Sequence, residues 1–392
     1  MSSYDLYISP RDPIIARDSR PFGAGQGNRM KSLPWLYPSV LSGSLRTLLG
    51  KLNGAQFDSS IIEKLKQIEV AGPFPFCHGQ IYFPAPADLI FFDRKSGESS
   101  KRSIMPFRPM RVSDGWGCDL PEGLLPISIT RDVKPAKAPA FWSLQQLCKW
   151  LGDASGDQML APQSNKFLQE GYMDFPELEE RVHVNINSET GAATESHLFT
   201  SVGMSLTVQV GDIFESIDMI ARVQAQNGFE QFLDQMNTLH PLGGERRLAH
   251  WSTQTLSNLW SCPKDLCDKL NQTSRVRMIL ASPAIFTEGW RPGWLGEGCE
   301  GTLPGSNLRL KLTAACINRW KAISGWSLEA GKIGPKPIRR MAPSGSVYFF
   351  EILDGDVSSL SSDLWLTSVC DEKQDRLDGF GRVLWGIWDY AK

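Results

Sequence analysis

Apolar and polar residues alternate over Tyr4-Asp-Leu-Tyr-Ile8, which predicts a strand ended by Pro10. A loop rich in Gly, Arg and Pro follows through residue 37. Pro38 to Leu49 then has helical spacing, with Val40, Leu41, Leu45, Leu48 and Leu49 on one stripe and Ser39 as the expected N-cap. Gln80–Phe83 and Leu89–Phe92 read as strands separated by Pro84 and Pro86. Residues 94–180 lack a clean period and read as an insertion, with a short helix expected between Trp142 and Leu151. Arg181-Val-His-Val-Asn-Ile-Asn187 alternates, Ser188-Glu-Thr-Gly191 is turn chemistry, and 181–200 is therefore expected to be a β-hairpin. A further strand is expected at Gly203–Val210 and a helix around Phe229–Asn237.

The second half repeats this plan. Val276–Leu280 is an apolar strand ending in Ser282-Pro283, as the first strand ends in Ser9-Pro10. Gly345–Ile352 matches the strand expected at 203–210. Two glycine turns close the halves, Leu242-Gly-Gly-Glu-Arg-Arg-Leu-Ala-His-Trp251 and Gly379-Phe-Gly-Arg-Val-Leu-Trp-Gly-Ile-Trp388. In each, arginine follows glycine and a Trp-bearing apolar run follows arginine. Glycine admits φ > 0 and leaves no Cβ between main chain and ligand, while arginine suits a phosphate. The repetition predicts an α+β fold of two ferredoxin-like (RRM-like) domains, 1–255 and 256–392, with the 94–180 insertion and the 181–200 hairpin in the first.

Composition narrows the function. Across 392 residues, 41% are apolar and 21% charged, as expected of a globular chain rather than a disordered one. A net charge of −2 argues against a general polyanion binder, so any nucleic-acid contact must come from local clusters. The sequence shows no secretory signal and no membrane-length apolar run, which predicts a cytoplasmic protein. Eight scattered cysteines fit reduced thiols. Cys262 and Cys267, with His240 and His250 upstream, have only loose zinc-site spacing, and buried thiols are the simpler reading. No metal or cofactor is expected.

Catalytic signatures are sparse. No Gly-Lys-Ser/Thr phosphate loop, His-Glu-x-x-His or Gly-x-Ser-x-Gly occurs, and the glycines of 23–27 lack a clear flanking strand and helix. His183 or His197 could serve a metal-free ribonuclease as general base, although a hairpin histidine contacting RNA or solvent is the simpler reading. The cations say more. Lys332, Lys336, Arg339 and Arg340 form an acid-free run stiffened by Pro335 and Pro337, suited to phosphates. Arg17, Arg20 and Arg29 lie in the first loop and Arg46 on the first helix. Ser39, Ser42 and Gly43 lie near that helix's start, where free amides favour anions. Gly243, Gly244 and Arg246 mark the first glycine turn, with Arg247 beside them; Gly379, Gly381 and Arg382 mark the second. Lys95–Arg111 is also basic and reads as an RNA-binding loop or a solvated flap.

In order, several motifs resemble one known family: Ser9-Pro-Arg-Asp-Pro13, Arg17-Asp-Ser-Arg-Pro-Phe22, Pro38-Ser-Val-Leu-Ser-Gly-Ser-Leu-Arg46, Tyr82-Phe-Pro-Ala-Pro-Ala-Asp88, Arg181–Gly191, Leu242-Gly-Gly-Glu-Arg246, Pro283-Ala-Ile-Phe286, Ser324-Gly-Trp326, Pro335-Lys-Pro337 and Arg339–Phe350. Together they look like the RAMP-superfamily subunit of type III-B CRISPR (Cmr) effectors that caps the 5′ end of the guide. The resemblance implies a non-catalytic protein that holds the repeat-derived 5′ tag of crRNA. It implies docking beside a large polymerase/cyclase-like subunit and a RAMP backbone subunit, with target RNA nearby. It further implies a thumb at 181–200, with RNA contacts from Ser39, Ser42, Arg46, Arg181, His183 and Asn187. The second glycine loop departs from the family in carrying Arg382, where an apolar residue is more usual. A guide-maturing endoribonuclease, an activity found among RAMP relatives, is the alternative.

Overall fold

The apolar runs become strands that pack almost entirely antiparallel, with few helices between them. The structure, a computed structural model, describes residues 2–391 apart from 18–29, 31, 55–56, 97–98, 114, 116, 118, 130, 157–158, 160, 163–167, 211, 257–258, 328–330 and 332. Two compact units form, neither of them continuous in sequence. One comprises Met1–Cys77, Phe175–Thr255 and Ala322–Arg339; the other comprises His78–Asp174, Leu256–Lys321 and Arg340–Lys392. Most of the segment expected as an insertion thus belongs to the same unit as the C-terminal strands.

In the first unit, strand Ser2–Pro10 lies between Asp218–Ala225 and Leu248–Gln254, both antiparallel to it. Glu69–Cys77 pairs with Asp218–Ala225 on one flank, and Asn237–Pro241 pairs with Leu248–Gln254 on the other. Leu6, Ile8, Val70, Phe74, Ile220, Val223 and Trp251 are buried in this sheet. Helix Pro38–Leu52 packs on Glu69–Cys77 with Leu41, Leu45, Leu48 and Leu49 buried, while Val40 is only partly covered.

The expected N-cap at Ser39 is not where this helix begins. Tyr37 is the cap residue and Pro38 occupies the first turn, a position whose N–H would lack a helical partner in any case. The apolar stretch at 203–210 also differs from expectation. Ala193–Ser205 belongs to the hairpin, and Thr207–Val210 turns back onto Ile213–Ser216. The sheet position corresponding to Val347–Asp354 is held by Asp218–Ala225 instead. Glu230–Asp234 is a single helical turn, and Asn237 already starts a strand.

The second unit carries the sheet order Glu300–Thr302, Arg309–Cys316, Val347–Asp354, Arg275–Leu280, Val383–Ile387. Between Arg275–Leu280 and Arg309–Cys316 no α-helix forms, only the short 3₁₀ turn Glu297–Cys299. Five glycines between 289 and 301 give that crossover little helical propensity. Helix Leu144–Leu151 is capped by the Ser143 side chain and buries Leu147, Trp150 and Leu151. No helix among the described residues is long and apolar enough to cross a membrane.

Candidate functional site

The first unit brings three sequence-predicted features together. After strand Ser2–Pro10 the chain runs past the glycine turn, where Gly244 N–H donates to the Ile15 carbonyl at 2.7 Å. A Cβ on Gly243, which has φ +78°, would press into that same carbonyl. The missing side chain thus admits the protein's own backbone rather than a ligand. Glu245 and Arg246 take left-handed conformations, φ +54° and +52°, unusual for residues with side chains. Arg246 is exposed on the turn, whereas Arg247 pairs with Glu245 at 3.4 Å.

The early turns of helix Pro38–Leu52 border this loop. Ser44 Oγ donates to the Pro241 carbonyl at 3.1 Å, and Ser42 is buried with its hydroxyl 3.5 Å from the Ser39 carbonyl. Ser39 is half-buried, and Gly43 is exposed with open space at its α-carbon. Arg17 is exposed and bridges Ser32, whose hydroxyl bonds Ala16. Arg20 and Arg29 lie outside the described residues. His240, beneath the loop, has its pKa lowered by burial and by Lys51, partly offset by a hydrogen bond to the Ser44 main chain.

Several residues expected to contact RNA make bonds within the chain. Arg46 donates to the Ile68 carbonyl at 2.8 Å and to that of Lys66 at 3.4 Å, so its guanidinium ties helix Pro38–Leu52 to the chain entering strand Glu69–Cys77. Asn187 Oδ1 accepts from the Glu189 and Thr190 amides at 2.8 and 3.2 Å, closing the hairpin tip as an Asx-turn. Arg181 pairs with Glu179. His183 Nε2 lies 2.7 Å from Ser201 Oγ, and its ring stacks on Phe199 at 5.1 Å. His197's side chain is not among the described atoms. In the basic run, Lys336 is exposed, with its amide on the Gly325 carbonyl at 2.8 Å, and Arg339 is half-buried. Lys332 is outside the described residues.

In the second unit, the second glycine turn repeats one bond of the first. Gly381 N–H donates to the Pro283 carbonyl at 2.8 Å, just past strand Arg275–Leu280. Gly379, φ +100°, terminates helix Lys373–Asp378 in the left-handed region, and its carbonyl accepts from Ser282 Oγ. Arg382 departs from expectation, being almost fully buried. Its guanidinium donates to the Leu366 and Arg376 carbonyls at 3.2 and 3.1 Å, capping the helix end and leaving no surface cation. Arg340 is exposed, its guanidinium 4.9 Å from the Trp320 ring. Both line an open cleft of about 870 Å³ with Leu124, Ile127, Trp290 and Ala315.

The same unit hides a cluster that periodicity did not disclose. Asp88 is fully buried and accepts from Arg277 Nη1 at 2.5 Å, Arg108 Nη1 at 3.1 Å and Trp150 Nε1 at 2.8 Å. Both guanidiniums lie 4.9 Å from the Trp150 ring. They donate onward to the Asp153 carbonyl, and Arg108 also reaches the Ala154 carbonyl at 2.9 Å. Burial, with Arg108's charge beside it, lowers the pKa of Arg277 despite Asp88. A charge within the apolar strand Val276-Arg-Met-Ile-Leu280 was the sequence signal for this site. Nearby, Cys267 Sγ donates to the Cys262 carbonyl at 3.5 Å; burial raises the Cys262 pKa and pushes Cys148 up to about 12.

Residues 6–388 match the family model of a CRISPR-associated protein, Cas_Cmr3. The chain belongs to this Cmr3 family of CRISPR-associated proteins. A search of curated proteins returns no match. Among solved structures, the chain is similar to one in a type III-B Cmr-beta complex bound to cognate target RNA, at 14% identity and TM-score 0.46, covering 88% of this chain and 86% of that one. It is also similar to a chain of a type III-A Csm3-Csm4 subcomplex, at 11% identity and TM-score 0.37, covering 90% and 94%.

Proposed function

We propose that the protein is a non-catalytic subunit of a type III-B CRISPR effector that holds the 5′ repeat-derived tag of crRNA. In this reading it links a large polymerase/cyclase-like subunit to the RAMP backbone filament, with target RNA nearby, in the cytoplasm. Its two sheets are read as ferredoxin-like repeats, because each sets a fourth, first, third and second strand side by side.

The observation that carries the RNA-binding role is the convergence in the first unit. Exposed Arg246 lies on a left-handed turn whose Gly244 bonds the Ile15 carbonyl, exposed Arg17 follows two residues on, and helix Pro38–Leu52 reaches the adjoining Pro241 carbonyl through Ser44. Helix amides and flanking arginines together favour phosphate oxygens. Family membership over nearly the whole chain supports the reading. The ribonuclease alternative finds less support, since His183 is engaged by Ser201 and Phe199.

The test is to tag the protein in its native cell, purify it at moderate salt and sequence the accompanying RNA. Short RNAs sharing one 5′ tag, together with a large polymerase-like protein, are expected. Random or absent RNA would overturn the proposal.

A further inference from the structure

The basic run around Lys336 closes a short hairpin with an indole beside it. Trp326–Ser327 pairs antiparallel with Gly334–Pro335, and the Lys336 amide carries the pairing on to the Gly325 carbonyl at 2.8 Å. A Cβ on Gly325 would lie 3.6 Å from Lys336 Cδ, so the lysine stem runs along the residue next to Trp326. The Trp326 ring is 62% exposed, and Lys336 is exposed with it. Trp142, Trp150, Trp251, Trp385 and Trp388 are by contrast fully buried, as core tryptophans are.

Charge selects the class of partner. From Arg319 to Arg340 the sequence holds six cations against the single acid Glu329. The hairpin Glu177–Ile186 with Ala193–Ser205, longer than the 181–200 span expected, has the opposite character. The ribbon from Phe175 to Ser216 that contains it holds seven acidic residues against the single cation Arg181. Lysine and arginine bind RNA by replacing the counterions condensed on its phosphates, so the basic hairpin suits RNA and the acidic one does not.

The backbone and the ring narrow the partner further. Pro335 and Pro337 have no N–H, which leaves the hairpin few amides to pair with an incoming strand of protein. A partner therefore meets side chains: an indole face, a lysine, and Ile338, which is 69% exposed. An indole face takes up the face of a nucleobase, and only an unpaired base offers one, because within a duplex both faces are covered by stacking.

We propose that the hairpin Trp326–Lys336 binds single-stranded RNA, with one unpaired base stacked on Trp326 and a neighbouring phosphate on Lys336. The contact is tolerant of sequence, since every base has a face to stack, and it is separate from the loop that carries Arg246. It rests on the reading of the chain as an RNA-holding subunit and adds a second RNA-binding element to it. A guide strand and a target strand present the same unpaired-nucleotide chemistry to such a hairpin.

The test titrates the purified full chain with single-stranded oligouridine and with an RNA duplex of equal length, over a series of salt concentrations. Trp326→Ala is expected to weaken oligouridine binding about tenfold, as loss of one stacked base does. The slope of log affinity against log salt should stay at its wild-type value, because the indole is uncharged. Lys336→Ala should lower that slope by about one. Trp326→Phe keeps an aromatic face and should retain most of the affinity, while duplex binding should not respond to either change at 326. Because Trp326 faces solvent, Trp326→Ala should also keep the wild-type melting temperature. Unchanged oligouridine binding by Trp326→Ala would overturn the proposal, as would an equal loss for duplex. If Arg246→Ala weakens binding and Trp326→Ala does not, the hairpin contact fails and the RNA-binding reading stands; the reverse pattern counts against the Arg246 loop alone. In the particle purified through a tag on the chain, ultraviolet crosslinking should attach an oligonucleotide to the Trp326 peptide, and its sequence tells guide from target. Particles that lose a protein subunit on Trp326→Ala, with oligouridine binding unchanged, would assign the hairpin to a protein partner and overturn the proposal.

Discussion

Asp88 shows how far a single residue's role can depend on its neighbours. Its carboxylate is removed from water but receives two guanidiniums and an indole N–H. Removing one member of such a group leaves the others charged and unpaired, so Asp88→Ala is expected to cost about 3–5 kcal/mol. Urea unfolding followed by tryptophan fluorescence would measure it, since Trp150 stands within the cluster. Replacing Asp88, Arg108 and Arg277 together by apolar residues of similar volume should cost far less. The glycine turns allow a second comparison. Gly243→Ala forces a Cβ toward the Ile15 carbonyl at φ +78° and should destabilise by about 1–3 kcal/mol. Arg246→Ala should instead leave the melting temperature unchanged and weaken RNA binding, as filter binding would show. The sequence marked both turns correctly as special positions. It could not reveal that Arg382 points inward and Arg246 outward, because the same motif admits either side-chain course.

At the scale of elements, the strongly periodic segments were legible and the weak ones were not. Tyr4–Ile8, the helix from Pro38 and both Trp-bearing strands form as their patterns require. Strand Asp218–Ala225 escaped notice although it pairs in the middle of its sheet. Its Asp-Met-Ile-Ala-Arg-Val run alternates poorly, since Met219, Ile220 and Ala221 are buried consecutively on both faces. The contact between the early turns of helix Pro38–Leu52 and the loop after Asn237–Pro241 carries a pH prediction. His240 has a lowered pKa in the fold, so the unfolded chain binds the proton more readily. The stability this residue contributes is therefore present above the ordinary histidine pKa and is lost as pH falls through the lower folded value. Thermal melts from pH 7.5 to 5 should show declining stability, and His240→Gln should flatten the decline.

Across the whole molecule, charge is partitioned rather than balanced residue by residue. The ribbon around 175–216 concentrates acid, and the exposed cations Arg17, Arg246, Lys336 and Arg340 lie on other segments. Replacing Lys336 and Arg340 by Ala should weaken RNA binding and reduce the slope of log affinity against log salt by about one for each phosphate no longer neutralised. A titration series between low and moderate salt would show it; an unchanged slope would place those cations against solvent or protein. The paired glycine turns were legible because local motifs recur with the strands they join. The interleaving of segments between the two compact units was not, because it depends on pairings between residues far apart in sequence.

That interleaving also governs how the chain folds as it leaves the ribosome. Asp88 emerges 189 residues before Arg277, and strand Arg275–Leu280 must then wait for Val347–Asp354 and Val383–Ile387 before both its edges are paired. At a synthesis rate of about 5–20 residues per second, the carboxylate stands without that partner for roughly 10–40 s. Nascent chains stalled short of residue 275 should therefore be readily cut by protease within 78–174, and the second unit can be completed only once Val383–Ile387 has emerged.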